Sequence, residues 1–342
     1  MAQLETLTVK EIIKKINAQE TFEAVSFEKS FHIKIRDYVP FLCAAVHAGN
    51  NLRINLRDKI IHNDYERWYE EDPHTDTFIS SMPLTIFGLD SRFEYDLNRD
   101  PENCVYKDAW GKPVWKRPLS KTILKESLQK HSNFYKVIDA LITVLEQKYN
   151  GCIVYDMHSY NYLRYKSNLP VFNLGTININ QKKFDSTINF WVKNLHSIKL
   201  RSVENTTEVN GPFKGNGYFL KHITKKFSNT LVLATEVKKI YCDELNGNDY
   251  PLVINDLEEE FKRIILKTSY FFVENQLNIK VKRKSLLALG IEDKLLMVDK
   301  ELYQLTKKLE VLSYVTPLNL ESEQRKFLKN NGVENPNFKY RQ

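Results

Sequence analysis

Two histidines stand where a short apolar run stops: His47 after FLCAAV at 41–46, and His158 after GCIVYDM at 151–157. A third apolar run, TLVLATEV at 230–237, carries an acid, Glu236. Neutral imidazole is a good borderline ligand for zinc, and a catalytic zinc site takes three protein ligands while leaving one position open for water. A carboxylate on an apolar strand is costly to bury without a partner, and beside a metal it can accept a proton from water. The three residues are therefore candidates for zinc-dependent hydrolysis, with His47 and His158 as ligands and Glu236 as proton carrier. A hydrogen-bonded histidine at a sheet rim, and a salt bridge from Glu236 to Lys238 or Lys239, are the plainer accounts of the same residues.

A third metal ligand has to come from elsewhere. The stretch Glu70-Glu71-Asp72-Pro73-His74-Thr75-Asp76 concentrates acid in a loop that could supply an oxygen, although a helix end running into an Asp-Pro turn would look the same. Asn98 and Arg99 place an amide beside a guanidinium, a pair suited to holding a carboxylate in bidentate fashion, with a structural ion pair to a nearby Asp as the competing account. The glycine-rich stretch from Asn210 to Tyr218 is expected to form a mobile loop over the cleft, with Tyr218, Lys221 and His222 as substrate contacts. It lacks the GKS or GKT of a phosphate loop, and HExxH occurs nowhere in the chain.

These groups need a frame that brings them together. The apolar runs at 41–46, 151–157 and 230–237, and a fourth at 92–97, RFEYDL, read as strands. Between the two histidines lies a helical segment from about Ser120 to Tyr149, with Ser120 as its cap and apolar residues at near-helical spacing. A long helix feeding an apolar strand is the βαβ pattern of a largely parallel sheet, in which polar residues at the C-terminal strand ends converge on one crevice. The expected fold is α/β: a mixed, largely parallel sheet flanked by helices. A further helix is expected at about 256–277, capped by Asn255 with Glu258 in the capping-box position. KVKRK at 280–284 marks a boundary, which gives a domain at 1–277 and a small helical and polar C-terminal extension at 278–342, with a helix at about 291–312.

Composition excludes several classes. At 342 residues the chain is long enough for one sizeable core plus an appendage. Its apolar runs fall short of the roughly 18–20 residues that span a bilayer. The opening MAQLETLTVKEIIKKI is amphipathic and unlike a signal peptide, so a cytoplasmic protein with no membrane partner is expected. Cys43, Cys104, Cys152 and Cys242 are scattered and form no CxxC pair, which points away from a disulfide framework or a thiolate zinc site. The net charge of +7 resides mostly in 278–342, where thirteen Lys/Arg face eight Asp/Glu without an aromatic-rich basic stripe, so nucleic acid is not an expected partner.

Taken in order, HAGN, EEDPHTD, EYDLNRDP, DMHSY, NGPFKGNGY and ATEVKKIY resemble the N-formylglutamate amidohydrolase family over about residues 35–270. That family is related to zinc carboxypeptidases, so the resemblance implies a carboxypeptidase-like (phosphorylase/hydrolase-like) fold. It also implies zinc bound by His47 and His158, a substrate carboxylate gripped by Asn98 and Arg99, and Glu236 acting as general base and then as acid. The carboxypeptidase pattern has a Glu three residues after its first histidine, where this chain has Asn50. The acidic ligand is accordingly expected at Glu71, with Asp72 as the substitute.

The activity implied is hydrolysis of the amide bond of a small, carboxylate-bearing N-acyl amino acid such as formylglutamate. A carboxypeptidase-like enzyme acting on a peptide, and a non-catalytic binding module on a hydrolase fold, are the alternatives. The segment at 315–340 resembles the opening of a tyrosine-type metallocarboxypeptidase family without its HExxxH motif. It is read as a docking or packing segment, with such a metallocarboxypeptidase as an alternative partner.

Overall fold

Every position from Cys152 to Tyr160 is buried, as expected of a strand covered on both faces. This strand lies near the middle of a nine-stranded sheet in a computed structural model that describes residues 4–201 and 203–277. In chain order the elements are β1 (Glu5–Leu7), α1 (Val9–Asn17), β2 (Phe22–Ser26), β3 (Phe31–Ile35), β4 (Phe41–Ala45), α2 (Ile54–Arg57), α3 (Asp64–Glu70) and, after a 3₁₀ turn at Thr77–Ile79, β5 (Leu84–Gly88). A two-residue hairpin follows, β6 (Asp108–Ala109) and β7 (Lys112–Pro113), then α4 (Lys121–Tyr149), β8 (Cys152–Tyr160), β9 (Phe172–Gly175) and α5 (Gln181–His196). The chain continues through β10 (Thr207–Val209), α6 (Tyr218–Lys226), β11 (Thr230–Lys238) and α7 (Pro251–Asn275).

The large sheet runs β1-β2-β3-β5-β4-β8-β11-β9-β10. Its centre, β5-β4-β8-β11, is parallel, while β3 and β9 enter antiparallel on either side, giving the mixed, largely parallel sheet expected. β8 and β11 are both nine residues long and pair along their whole length, so that His158 lies directly opposite Glu236. Because side chains alternate between faces, Tyr155 and Thr235 point one way and Asp156, His158 and Glu236 the other. On the first face Tyr155 contacts Trp191 of α5 and bonds to Ile265 and Ser269 of α7, and Trp191 Nε1 donates to Thr235 Oγ1 at 3.1 Å. On the second, α4 packs with α1, and Phe134 of α4 meets Phe219 of α6.

Helix α4 begins where its cap predicts, Ser120 accepting from the Ile123 N–H, and it ends at Asn150 in the left-handed conformation. Three expectations need correcting. Helix α7 starts at Pro251, so Asn255 lies inside it; proline suits a first turn, where its missing N–H has no intrahelical partner in any case. His158 lies within β8 rather than past its end. Residues 92–97 form turns and no strand. Their alternation is real, with Phe93, Tyr95 and Leu97 buried, but Glu94 and Asp96 are held by Lys130, Arg53 and Arg92 through their side chains, and the Glu94 N–H closes a turn on the Ser91 carbonyl. No helix of the described residues is long and apolar enough to cross a membrane. The boundary at 280–284, the helix at 291–312 and the segment at 315–340 lie outside the described residues.

The turn after β4 is fixed by a close backbone approach. A Cβ on Gly49 would lie 2.2 Å from the Leu89 carbonyl carbon, next to the bridge between Asn51 and Asp90. Backbone cannot yield as a flexible side chain does, so Gly49→Ala should cost about 1–3 kcal/mol. Urea unfolding checks this, and a midpoint equal to that of the wild type would contradict the close approach.

Candidate metal centre and substrate clamp

His47, two residues past β4, His158 in β8 and Asp72, two residues past α3, converge at the sheet edge. One ligand atom from each lies within 4.8 Å of the others, and all three residues are buried. Asp72 Oδ2 is 3.4 Å from His47 Nδ1 and 3.2 Å from His158 Nδ1. The far side of each ring meets another acid: His47 Nε2 is 2.6 Å from Asp96 Oδ1, and His158 Nε2 is 3.0 Å from Asp156 Oδ1. If the His47 Nε2 carries the proton facing Asp96, its Nδ1 lone pair is left for a cation, the outer-shell arrangement that orients metal-bound histidines.

The donors fit a divalent cation. Two imidazole nitrogens and one carboxylate oxygen make a set that suits zinc. The His47 Nδ1 atom is buried and has no hydrogen-bond partner, which is costly unless something else binds it. Burial would raise the Asp72 pKa, but the two imidazoles beside it, His158 first and then His47, outweigh it and hold the carboxyl well below the usual range. His158 is the reverse case: burial disfavours its charge, yet Asp156, Asp72 and Glu236 raise its pKa well above that of free imidazole. In both residues negative and positive groups are balanced tightly around one small volume.

The acidic member of the cluster is Asp72; the expectation of Glu71 is corrected. Glu71 caps the C-terminus of α3 with extended backbone, so its side chain and that of its neighbour diverge. The Asp72 N–H donates to the His47 carbonyl at 3.1 Å, which draws Asp72 to the end of β4. Glu71 instead accepts from Ser91 Oγ, and burial pushes its carboxyl up to about 7.

Glu236 faces this cluster from β11. Its side chain keeps some access to solvent, whereas the three clustered residues are closed off. The surrounding protein pushes its carboxyl up to about 8: burial is the main cause, His158 opposes it, and Asp72 and Asp156 add to it. Among the described residues it has no ion pair, so the expected alternative of a Lys238 or Lys239 salt bridge does not arise. Lys239 Nζ donates instead to the carbonyls of Tyr69 and Glu71, at 2.7 Å each.

Asn98 adjoins the cluster, with Nδ2 3.5 Å from His158 Nε2. Its backbone is held from several sides. The Asn98 carbonyl accepts from Tyr218 N at 2.9 Å and its Oδ1 from Phe219 N at 3.1 Å, while Tyr135 donates to the Leu97 carbonyl and His131 Nε2 lies 2.9 Å from the Arg99 carbonyl. A Cβ on Gly217 would fall 2.2 Å from Asn98 Oδ1, so glycine is needed there. The Arg99 side chain is exposed and makes no ion pair among the described residues, leaving its guanidinium available.

The other substrate contacts expected near the cleft fare differently. Tyr218 reaches the site through its backbone, while its ring packs on Tyr135, 5.1 Å between centroids. His222 is engaged elsewhere, Nε2 2.8 Å from Asp139 Oδ1 on α4, and Lys221 is exposed on the same helix. The loop from Asn210 to Tyr218 is fastened rather than free. Asn173 and Asn178 donate to its Phe213 and Gly215 carbonyls, Asn210 bonds twice to Thr176, and a Cβ on Gly175 would meet Gly215 N at 2.2 Å. Asp96 and Asp156 were missed from sequence, although Asp156 had a signal: two residues before His158 on a strand, it must share that residue's face.

Residues 39–241, more than half of the chain and every residue of the site, match the model of the family described as N-formylglutamate amidohydrolase. No curated protein matches. Among solved structures, the N-formylglutamate amidohydrolase from Ralstonia eutropha JMP134 is similar at 16% identity and TM-score 0.59, over 71% of this chain and 97% of that one. A gene product of Agrobacterium tumefaciens is similar at 12% identity and TM-score 0.51, over 70% and 95%. The chain belongs to the N-formylglutamate amidohydrolase family.

Proposed function

We propose that this amidohydrolase is zinc-dependent and cleaves the amide bond of a small, carboxylate-bearing N-acyl amino acid of the N-formylglutamate type. The observation that carries the reading is the meeting of His47 Nδ1, which has no hydrogen-bond partner, with His158 and Asp72 on the face of the sheet that Glu236 shares. Bound by those three residues, zinc supplies a Lewis acid for the amide carbonyl and makes nearby water easier to deprotonate. The chain's own residues do the rest. Glu236, with a carboxyl tuned by burial toward neutral pH, takes a proton from the attacking water and returns it to the departing amine. Arg99 holds the substrate carboxylate, and Asn98, fixed beside His158, sets its register, so the scissile carbonyl is delivered in one orientation. All four cysteines are free and buried, which suits the cytoplasmic location we propose.

Zinc content separates the two adjacent acids. Asp72→Asn should weaken zinc binding by more than the roughly 10–100-fold typical of an outer-shell change, whereas Glu71→Gln should leave it near wild type. Elemental mass spectrometry on untagged protein reads this directly, and the reverse ranking would refute the ligand set. Glu236→Gln should keep its zinc and lose about 10²–10⁴-fold in kcat, measured as formate release from N-formylglutamate; full activity would remove Glu236 from the mechanism. Arg99→Ala should forfeit a charged hydrogen bond of about 1.5–3 kcal/mol, seen as a higher KM for the acid. The penalty should vanish on an analogue whose carboxylate is amidated, and an equal loss on both substrates would argue against the clamp.

A further inference from the structure

Lys239 is buried to 1% exposure, one residue past the end of β11. Its ammonium meets no carboxylate within ion-pairing distance among the described residues. It donates instead to two main-chain carbonyls, Tyr69 and Glu71, at 2.7 Å each, and lies 5.5 Å from the centre of the Trp68 ring and 5.8 Å from that of Tyr69. Taking a full charge out of water for neutral partners is expensive, so the arrangement calls for a reason. The two carbonyls supply it, because they belong to the last turn of α3 and to the residue immediately before Asp72. Beyond Asp72 the chain is tied again: Thr75 Oγ1 donates to the Asp72 carbonyl at 2.7 Å and Tyr241 to that of Pro73 at 2.8 Å.

We infer that Lys239 is a positioning residue for the metal site: by fixing the Tyr69 and Glu71 carbonyls it sets the direction in which Asp72 leaves α3, and so places the acidic ligand. The inference rests on the zinc site proposed above. Strand β11 and the residue that follows it thus contribute at two points, Glu236 on the cleft side and Lys239 behind the loop that carries Asp72. The Tyr69 carbonyl also accepts from Asn161 Nδ2 at 2.6 Å, so the distinct contribution of Lys239 is its bond to the Glu71 carbonyl, next to Asp72.

The test is zinc affinity of the full chain, by competition with a chromophoric chelator, set beside the thermal stability of the metal-free protein. Lys239→Met should bind zinc roughly 10- to 100-fold more weakly, the range for losing an outer-shell support. Lys34→Met is the control: Lys34 is also buried and also donates to a main-chain carbonyl, that of Ser80. It should lose stability while keeping wild-type zinc affinity. Wild-type affinity in Lys239→Met, or an equal loss in both variants, would overturn the inference. Were wild-type protein to bind no zinc, the proposed function itself would fail, a result distinct from either. Should Lys239→Met not fold, a crystal structure of the zinc-loaded wild type decides: Nζ within hydrogen-bond distance of both carbonyls supports the role, and Nζ withdrawn from them with Asp72 on zinc refutes it.

Discussion

A carboxylate shut away from water beside two imidazoles is the constraint around which the rest of this structure is arranged. Asp72 is 3% exposed, and a buried charge of that kind is tolerated only when opposite charge and hydrogen bonds answer it. His47 and His158 answer it in part, and the remaining directed lone pair of His47 calls for a cation. The two histidines come from adjacent parallel strands, and the acid arrives from a helix that ends over them. Parallel pairing of β4 with β8 is what makes the meeting possible, since it brings the C-terminal ends of two distant segments to one edge.

Around that centre the protein places a second ring of charge. Asp96 is wholly buried; burial would raise its pKa, but Arg92 and His47 outweigh it and keep it ionised. Arg92 reaches Asp96 Oδ2 at 2.8 Å and the Glu70 carbonyl at 3.1 Å, so it joins the acid behind His47 to the turn that leads to Asp72. Such networks hold several interdependent groups in one geometry, and partial satisfaction would be worse than an apolar core. The value of the network lies in direction: ligand lone pairs aimed at a point differ from the same residues left to rotate.

Much of this was legible in the sequence, and the exceptions share a cause. Apolar runs bounded by polar residues give β4, β8 and β11 because burial on both faces leaves a continuous hydrophobic signature, and a serine cap gives the start of α4. His47, His158 and Glu236 could be singled out because each lies in or just after an apolar run that forms a strand, and the Asn98–Arg99 pair because an amide beside a guanidinium suits a carboxylate. The choice of Asp72 over Glu71 could not, since one backbone angle at the end of α3 decides which of two adjacent acids faces the histidines. Residues 92–97 imitate a strand because apolar residues alternate with ion-paired acids, which gives the sequence a period of two although Phe93 to Leu97 are all buried. His222 was misplaced for want of Asp139, a partner 83 residues away that only the fold brings near.

The His47–Asp72–His158 cluster and the Asn98–Arg99 pair are not independent parts. Asp96 Oδ1 accepts from the Asn98 N–H at 2.6 Å and faces His47 Nε2 at the same distance, so a single carboxylate oxygen orients the His47 imidazole and anchors the residue that adjoins His158. Asn98 in turn binds the N-terminus of α6 through its carbonyl and side chain. The turn at 96–99 therefore works as a bracket: its acid looks to the histidine, its amide to His158, and its guanidinium to solvent. If Arg99 holds the substrate carboxylate as proposed, only Leu97 and Asn98 separate it in the chain from the acid that faces His47, and that short link would couple recognition of the carboxylate to the position of the scissile bond.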